Sequence, residues 1–435
     1  MQNEECKMKS ANCRASRSLH FAFVTFHFSF CILTSGQSQA QPGTDASSKA
    51  TPARNPSVRT DFPGGQLGRH EWVGPGRLRA VLYREWDENR VNTQSTWYYF
   101  RLDGVRDVPL SIELTGLDDR YNGRPSHSIA ERDKPFVSSD NVHWERLLTA
   151  QFDAKRSTLT IHVVPRTNTV WIAHLEPYTE EHLSRLAADF KGSPYLRVES
   201  AGQTVEGRDL PLWTITDPAV PESGKKVVWL MGRQHAWETH TSFCLEGAAR
   251  LLLAGTPEAA TLRRALLVRL LPMMDPDGVA RGGTRLNRHG YDVNRHWNEV
   301  RVGDPQLGGK MPEIASAKRA IRDWLAAGHR IDLLLAFHDT QVDSFSMAPG
   351  NDPSMLKLHE LMRGHRFSGR AIEVAVSGAC PTVEGALSHE FGFPAGLIEL
   401  GTIDLPTYGR YVTAPDRVRF GADLIAAVAE TYRLK

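Results

Sequence analysis

A change in hydrophobic periodicity near residue 178 constrains the fold more than any other feature of this chain. Between Gly76 and Leu175, short runs rich in β-branched and aromatic residues are separated by turn-forming residues, a pattern typical of an antiparallel β-sandwich. After Tyr178, strand-like runs alternate with helix-length amphipathic segments, as in an α/β sheet that has helices on its faces. We therefore predict an all-β sandwich domain over residues 70–178 and an α/β domain over residues 179–435.

The same periodicity divides the second half into individual elements. The predicted strands are 225–232, 266–274, 331–337 and 396–400, and the predicted helices are 239–253, 313–327 and 415–432. In open α/β sheets, ligands bind beyond the carboxyl ends of the strands. Polar residues near those ends are therefore the first candidates for function.

Several aromatic residues of the first half lie in or beside its strand-like runs. They are Trp97, Tyr98, Phe100, Trp144 and Trp171. We predict that they fill the sandwich core or an interface, since large aromatic side chains dominate the energetics of both. A carbohydrate-stacking platform is the less favoured interpretation.

The first forty residues have the organisation of a secretory leader. A polar, basic stretch precedes an apolar, Phe-rich run over residues 19–33, and Ser38-Gln39-Ala40 has the small-x-small form of a processing site. The apolar run is short for a membrane anchor. We predict a signal peptide over residues 1–40, a periplasmic or secreted mature protein, and a disordered spacer over residues 41–69. A start codon assigned upstream of the true one is the alternative.

Charge and cysteine content exclude several kinds of partner. The 52 Lys and Arg residues nearly balance the 50 Asp and Glu residues, so the chain lacks the basic excess typical of nucleic-acid-binding proteins. No segment after the leader is apolar enough to predict membrane insertion. The predicted mature chain keeps Cys244 and Cys380, which are too far apart for a CxxC site. Two buried thiols are favoured over a disulfide.

Two histidines and a glutamate lie where predicted strands of the second half end. His235 and Glu238 follow the strand at 225–232, and His338 follows the strand at 331–337. The His-x-x-Glu spacing alone occurs often by chance. Two histidines with one carboxylate, and a fourth position left for water, are however a ligand set typical of catalytic zinc. The sequence therefore predicts one Zn²⁺ ion at these three residues.

Other polar residues of the second half indicate an anionic ligand. Asn294 and Arg295 place an amide beside a guanidinium group that can grip a carboxylate bidentately, and Arg285 and Arg288 lie in the same loop. A solvated loop face would explain the arginines about as well. Glu399 stands inside an apolar strand, where a charge is costly unless it has a partner or a function. An outward-facing edge residue is the alternative there.

These residues together resemble the zinc carboxypeptidases, specifically the cytosolic-carboxypeptidase-like branch, in which a β-sandwich precedes an α/β catalytic domain with a mixed sheet. The resemblance covers nearly the whole predicted mature chain. In the first half it includes Gly76-Arg-Leu-Arg79, Trp97-Tyr-Tyr-Phe100 and Pro177-Tyr-Thr179. In the second half it consists of His235-x-x-Glu238, Asp275-Pro-Asp-Gly278, Gly282-Gly-Thr-Arg285, Asp292-Val-Asn-Arg295, His338 and Glu399.

The resemblance implies a role for each matching residue at the reaction centre. His235, Glu238 and His338 would be the zinc ligands. Glu399 would be the general base that takes a proton from the attacking water and later gives it to the leaving amine.

The resemblance also implies which residues bind the substrate. Arg285 would polarise the scissile carbonyl and stabilise its negative charge. Asn294 and Arg295 would hold the terminal carboxylate. Asp292 would orient a zinc-binding histidine through its outer nitrogen.

The chain departs from the family pattern at three places. It has Ala236 and Trp237 where this branch commonly has Pro-Gly, which should reshape the floor of the site, and Asp275 where Asn is usual. Digestive members use a mobile tyrosine before the catalytic glutamate, but residues 370–398 contain no Tyr. Tyr408 is the candidate for that role.

The activity that the resemblance implies is that of a metallocarboxypeptidase, a hydrolase that removes the C-terminal residue of a peptide with a free carboxylate. A zinc amidase or deacylase acting on a cell-wall peptide or an acylated amino acid stays open, as does a non-catalytic binding module. Retention of all the presumed ligands argues against the binding module. Arg366, Arg370 and His389 could contact an acidic side chain, although solvated surface explains them better.

Overall fold

The first part of the chain folds into strands. The structure, a computed structural model, describes residues 55–127, 129–348, 353–374 and 376–434. In chain order the strands of this part are β1 (Ser57–Arg59), β2 (Arg69–Gly74), β3 (Arg77–Val81), β4 (Glu85–Trp86), β5 (Thr93–Gln94), β6 (Tyr99–Asp103), β7 (Leu110–Thr115), β8 (Asp118–Tyr121), β9 (Arg124–His127), β10 (Phe136–Ser138), β11 (Glu145–Arg146), β12 (Gln151–Asp153), β13 (Thr158–Val163) and β14 (Thr169–Ala173).

Two five-stranded sheets of this part pack face to face. Their strand orders are β1-β6-β14-β10-β11 and β12-β13-β7-β3-β2. Leu78 and Ala80 of β3 share one buried core with Phe100 and Leu102 of β6, which belong to opposite sheets. Alternate residues of each strand face that core, as the period of two requires. The prediction of an all-β sandwich before an α/β domain is confirmed.

The predicted aromatic residues divide between the sandwich core and a second cluster. Tyr98 and Phe100 lie in the core between the two sheets. Trp97, Trp144 and Trp171 belong to a separate cluster that also includes Trp237 of the second part. Both groups therefore have structural roles.

The prediction of a disordered spacer over residues 41–69 is wrong for the residues that the structure describes. Residues Ser57–Arg59 pair with β6 as an edge strand. Phe62 packs against Tyr99 and Trp171 with ring centroids 4.8 Å apart in each pair, and Leu67 is fully buried. The segment is poor in apolar residues overall, but among its described residues Leu67 is buried and Val58 and Phe62 are partly buried. Residues 41–54 lie outside the described chain.

The second part alternates strands and helices. Its strands are β15 (Leu196–Gln203), β16 (Asp209–Ile215), β17 (Lys226–Met231), β18 (Leu266–Leu271), β19 (Leu333–Thr340), β20 (Ser344–Ala348), β21 (Arg370–Glu373), β22 (Ala395–Gly401), β23 (Asp404–Leu405) and β24 (Arg410–Tyr411). Its helices are α1 (Glu180–Asp189), α2 (Thr239–Leu253), α3 (Pro257–Ala265), α4 (Pro276–Arg281), α5 (Leu307–Lys310), α6 (Pro312–Ala326), α7 (Pro353–Gly364), α8 (Val383–Phe391) and α9 (Ala414–Thr431).

A mixed eight-stranded sheet forms the centre of this part, in the order β15-β16-β18-β17-β19-β22-β20-β21. The four inner strands β18, β17, β19 and β22 are parallel. Along β17, Val228 and Leu230 enter the core beneath α2 and α9, while Val227, Trp229 and Met231 enter the core beneath α6 and α8. Helices therefore cover both faces, and the inner strands are apolar on both sides.

The strands β4, β5, β8 and β9 form a small sheet that we call the roof sheet. From Asn55 onward the chain forms one compact unit, and the roof sheet contacts the second part directly. Glu88 donates its backbone N–H to the carbonyl of Gly290 at 3.0 Å. Glu88 lies between β4 and β5, so this contact joins one end of the roof sheet to the loop that carries the predicted substrate-binding residues.

Several predictions concern regions that the structure leaves untested or describes only in part. The predicted leader, residues 1–40, lies outside the described residues, so export stays a prediction. Among the described residues, no helix combines the length and the apolar character needed to cross a membrane. Cys244 and Cys380 are both buried and are not joined in a disulfide.

Candidate metal centre

His235, Glu238 and His338 converge on one buried point at the end of the parallel strands. The Nδ1 atoms of the two histidines are 3.2 Å apart. Glu238 Oε1 lies 2.6 Å from Nδ1 of His235, and Oε2 lies 2.9 Å from Nδ1 of His338. All three side chains are about 2 % exposed. The predicted ligands are thus brought together, one carboxylate oxygen against each imidazole.

The neighbouring strands β17 and β19 explain this convergence. His235 lies in the turn between β17 and α2, and Glu238 is the residue that precedes α2. His338 lies inside β19, which extends beyond its predicted end to Thr340. Because parallel strands present their carboxyl ends at the same edge of a sheet, residues distant in sequence meet there.

The buried side chain of Arg233 holds the turn that carries His235. Its backbone has a positive φ of 58°, which is uncommon for a residue other than glycine. Its Nε donates to the carbonyl of Ala236 at 2.8 Å, and its Nη1 donates to the hydroxyl of Ser242 at 3.0 Å. These bonds tie the turn to the first residues of α2.

The outer nitrogens of both histidines are engaged by acceptors. Nε2 of His235 lies 3.0 Å from a carboxylate oxygen of Asp292, and Nε2 of His338 lies 2.8 Å from Oε1 of Gln234. Since carboxylate and amide oxygens only accept hydrogen bonds, each Nε2 carries a proton. Each Nδ1 faces the Glu238 carboxylate and is therefore the nitrogen that would bind a metal ion after it gives up its proton.

The arrangement fits one zinc ion. Ligands placed tetrahedrally at about 2.0–2.1 Å from zinc are about 3.3 Å from each other, and the two Nδ1 atoms are 3.2 Å apart. Glu238 Oε2 is buried without a hydrogen-bond partner, although it lies 2.9 Å from His338. A shared cation would satisfy this oxygen and the two Nδ1 atoms at once. Within the described residues, this is the group of three or more such ligands that could hold a metal ion.

Electrostatic coupling keeps Glu238 ionised. Burial raises the pKa of its carboxyl, but His235 and His338 outweigh burial and hold the pKa at about 2. For His235, burial and Arg285 lower the pKa, but the carboxylates of Glu238 and Asp292 raise it by more. A carboxylate that stays charged is the form that a metal requires.

Glu399 lies beside the metal ligands on the sheet. It is the register partner of His338 across the parallel pair β19 and β22, so the two side chains emerge on the same face. Burial raises the pKa of Glu399 above its usual range, against an opposing effect of His338. The predicted general base thus adjoins the metal site, and its raised pKa means that its surroundings on balance favour the protonated form.

Asp292 connects the metal ligands to Arg285. Its Oδ2 accepts a 2.7 Å hydrogen bond from Nε of Arg285, while its Oδ1 lies 3.0 Å from Nε2 of His235. Burial raises the pKa of Asp292, but Arg285 and His235 outweigh burial and hold it well below its usual range. The Arg285 guanidinium is therefore oriented by the carboxylate that also orients a histidine.

A cavity of about 270 Å³ opens beside these residues. Arg285, Asp292 and Arg295 line one wall. The roof sheet and its loops supply residues of another wall, which are Asp87, Glu88, Asn92, Thr93, Gln94 and Tyr121. The first part of the chain therefore forms part of the cavity, a contribution that the sequence did not reveal.

Asn294 lies behind the cavity rather than in its lining. It is 5 % exposed, and its Oδ1 accepts a 3.1 Å hydrogen bond from the backbone N–H of Val383 at the start of α8. Nη1 of Arg295 donates to the backbone carbonyl of Asn294 at 2.8 Å. In this structure Asn294 anchors the loop, and Arg295 is the member of the pair that faces the cavity.

A buried carboxylate of the first part holds the loop of Arg285. Glu85 of β4 accepts three backbone hydrogen bonds, from Thr284 at 2.9 Å, from Arg285 at 2.6 Å and from Leu286 at 2.9 Å. Three amides converging on one carboxylate fix both the loop and its distance from β4. Glu85 carries no local sequence signal for this role, because its partners lie two hundred residues away.

Other residues proposed from the sequence have contacts with residues other than the three proposed metal ligands. Arg288 pairs with Glu206 at 3.2 Å. Tyr408 packs near Arg366 and Arg417, at 5.8 and 6.0 Å from its ring, in a cluster with Ile403, Leu405 and Val412. The ring centroid of Trp237 lies 5.6 Å from that of His174. Arg370 is an exposed residue of β21, and His389 lines a different cavity, with Asn298 and Arg301.

Comparison with known proteins gives two family matches that adjoin along the chain. Residues 180–353 match the model of a family described as zinc carboxypeptidase. Residues 58–175 match the model described as cytosolic carboxypeptidase N-terminal domain. Together the two matches span the sandwich, the roof sheet and all three proposed metal ligands, and they end before Glu399.

The chain is also similar to individual curated proteins. It is 31% identical over 245 residues to an uncharacterized protein of Zymomonas mobilis, an alignment that covers 56% of this chain and 59% of that protein. It is 27% identical over 324 residues to cytosolic carboxypeptidase 1 of Mus musculus, covering 64% of this chain and 26% of the mouse protein. The chain thus spans a little over half of one relative and about a quarter of the other.

Solved structures share the fold over most of the chain. A metallo-carboxypeptidase from Burkholderia cenocepacia aligns with a TM-score of 0.74 at 22% identity and covers 87% of this chain and 99% of that chain. A metallo-carboxypeptidase from Pseudomonas aeruginosa aligns with a TM-score of 0.71 at 21% identity and covers 87% of this chain and 99% of that chain. At these identities the likeness shows a common fold.

Proposed function

Because this chain belongs to the zinc carboxypeptidase family, we propose that it hydrolyses the C-terminal peptide bond of peptides that end in a free carboxylate. One observation carries the proposal. The buried set of His235, Glu238 and His338 is connected through Asp292, 3.0 Å from His235, to a cavity that Asp292 lines together with Arg285 and Arg295. A site for a cation and a site for a carboxylate are thus placed side by side, as release of a terminal residue requires.

Zinc fits the three ligands and, when bound, would act as a Lewis acid and lower the pKa of a water molecule. The protein contributes the geometry of the ligands. Asp292 and Gln234 hold the two imidazoles through their outer nitrogens, so neither ring can turn away without losing a hydrogen bond.

Arg295 would bind the terminal carboxylate of the substrate. Its guanidinium has five N–H donors, of which Nη1 and Nη2 each make one hydrogen bond within the protein. Donors remain for a carboxylate in the cavity. Asn294, anchored to the start of α8 through Val383, would keep this guanidinium in place.

Arg285 would stabilise negative charge on the carbonyl oxygen of the scissile bond. Its Nε donates to Asp292, and the residue lines the cavity. Fixed donors in a site screened from water lower the barrier because they need no reorganisation when charge develops. Asp292 and Glu85 together supply that fixation.

Glu399 would act as general base and then as general acid. As the register partner of His338, its carboxylate lies on the metal-site face of the sheet. There it would accept a proton from the attacking water and pass that proton to the leaving amine nitrogen. Water loses a proton, the peptide nitrogen gains one, and Glu399 returns to its starting state.

An amidase or deacylase that cleaves a cell-wall peptide or an acylated amino acid would use the same residues. The products of hydrolysis therefore distinguish that reaction from the release of a C-terminal residue. The purified zinc-loaded protein should release single C-terminal amino acids from peptides with a free carboxylate, and it should leave the same peptides with a C-terminal amide intact. Mass spectrometry of the products shows this directly. Cleavage of murein fragments or acylated amino acids, with peptides left uncut, would contradict the proposal and favour an amidase.

A further inference from the structure

Tyr121 reaches the cavity from the roof sheet. It is the last residue of β8 and the register partner of Arg124 on β9. The two residues between them, Asn122 and Gly123, have φ angles of 50° and 70°, as in the tight hairpin turn that Asn-Gly favours. The turn fixes the point at which Tyr121 leaves the sheet.

The hydroxyl of Tyr121 contacts Arg295. Nη2 of Arg295 donates a hydrogen bond to this oxygen at 2.9 Å. A guanidinium group has donors only, so the phenol is the acceptor in this pair and its own proton points elsewhere. Tyr121 is 41 % exposed and lines the cavity together with Arg285 and Arg295. A hydroxyl with a proton to give, placed beside two guanidinium groups, suits an anionic ligand.

We propose that Tyr121 is a substrate-contacting residue whose hydroxyl donates a hydrogen bond to the terminal carboxylate that Arg295 binds. The inference rests on the proposed carboxypeptidase function, and it adds a residue that neither the family matches nor the sequence motifs assign. The roof sheet then completes the binding site of the α/β part. Tyr408 lies in a different cluster and cannot make this contact in the structure described.

Steady-state kinetics on a peptide with a free carboxylate test the role of Tyr121. Replacing Tyr121→Phe removes the hydroxyl but keeps the ring. Loss of a hydrogen bond to a charged group should raise KM about tenfold or more, with kcat changed by less than about twofold, because the group does not contact the bond that breaks. Tyr83→Phe is the matched control, since Tyr83 is also exposed in the first part but lines a different groove. Its KM should equal that of the wild type.

A binding measurement separates this inference from the proposed activity. In zinc-loaded Glu399→Gln protein, calorimetry should show that Tyr121→Phe weakens binding of the free-carboxylate peptide about tenfold and leaves binding of its C-terminal amide unchanged. Equal affinities with and without the hydroxyl, or no detectable binding of the free-carboxylate peptide, would overturn the role of Tyr121. Binding that depends on Tyr121, together with no release of C-terminal residues by the wild-type protein, would instead contradict the proposed reaction alone.

Discussion

The side-chain carboxylate of Glu85 lies 2.6 Å from the backbone nitrogen of Arg285, so a residue of the strand-rich part holds the loop of a proposed catalytic residue in the α/β part. The same carboxylate accepts the neighbouring amides of Thr284 and Leu286. The sandwich and its roof sheet are therefore part of the active-site architecture and cannot be treated as an appended module.

Replacing Glu85→Gln should lower kcat/KM about tenfold to a hundredfold. The amide offers one oxygen to three backbone donors and turns its NH₂ group toward the others, so at least one buried donor loses its partner, at a cost of about 1–3 kcal/mol. Kinetics together with thermal unfolding measure the effect. Glu71→Gln, an exposed change on β2, is the control. Full activity in the Glu85 variant would show that the loop keeps its position without this carboxylate.

Gln234 should matter for zinc affinity. Its Oε1 accepts from Nε2 of His338 at 2.8 Å, and its own amide donates to the carbonyl of Val293 at 3.0 Å. Gln234→Leu removes the acceptor that orients His338, so the zinc dissociation constant should rise about tenfold to a hundredfold. Competition with a chelator of known affinity measures it, with the exposed Gln203→Leu as control. An unchanged constant would mean that packing alone orients the histidine.

Asp275 should make stability depend on pH. Burial raises its pKa to about 7, although the charge of Arg281 lowers it. Its Oδ2 is buried without a hydrogen-bond partner. The folded pKa exceeds the unfolded value of about 3.9, so the folded protein holds this proton more tightly than the unfolded chain does. The contribution of Asp275 to the free energy of unfolding is therefore greatest below pH 4 and is lost as the pH rises through 7.

Asp275→Asn keeps the side-chain acceptor for the backbone N–H of Gly278 and removes the charge. The variant should therefore be more stable than the wild type at pH 8, by at most about 4 kcal/mol, and similar to it at pH 4. Urea unfolding at the two pH values checks this, with the exposed Asp323→Asn as control. Equal stability of variant and wild type at pH 8 would contradict the prediction that an ionised, buried Asp275 destabilises the protein at that pH.

Local hydrophobic periodicity was sufficient to predict the helix and strands that surround the metal site. The helix predicted at 239–253 is α2, and the strands predicted at 225–232 and 396–400 correspond to β17 and β22. These segments are long and strongly apolar on their buried faces, so their pattern is legible without tertiary context. The ligand set followed from them, because histidines after adjacent parallel strands must lie close together.

The contacts between the two parts of the chain could not be predicted in this way. Glu85 and Tyr121 lie on short strands of the roof sheet, with two and four residues respectively, and their partners are Arg285 and Arg295. Nothing in the sequence around either residue distinguishes it from an ordinary surface Glu or Tyr. Gln234 adjoins His235, and its position beside a predicted ligand is the signal that could have identified it.

The proposed reaction is tested most directly by zinc content and C-terminal residue release, measured in parallel for the wild type, Glu399→Gln and the exposed control Glu373→Gln. Glu399 adjoins the ligands as the register partner of His338 and belongs to a separate strand, so the variant should keep one zinc ion per chain. Its rate of residue release should fall at least about a hundredfold, while the control keeps the wild-type rate. Equal rates in all three proteins would remove Glu399 from the mechanism and with it the proposed route of hydrolysis.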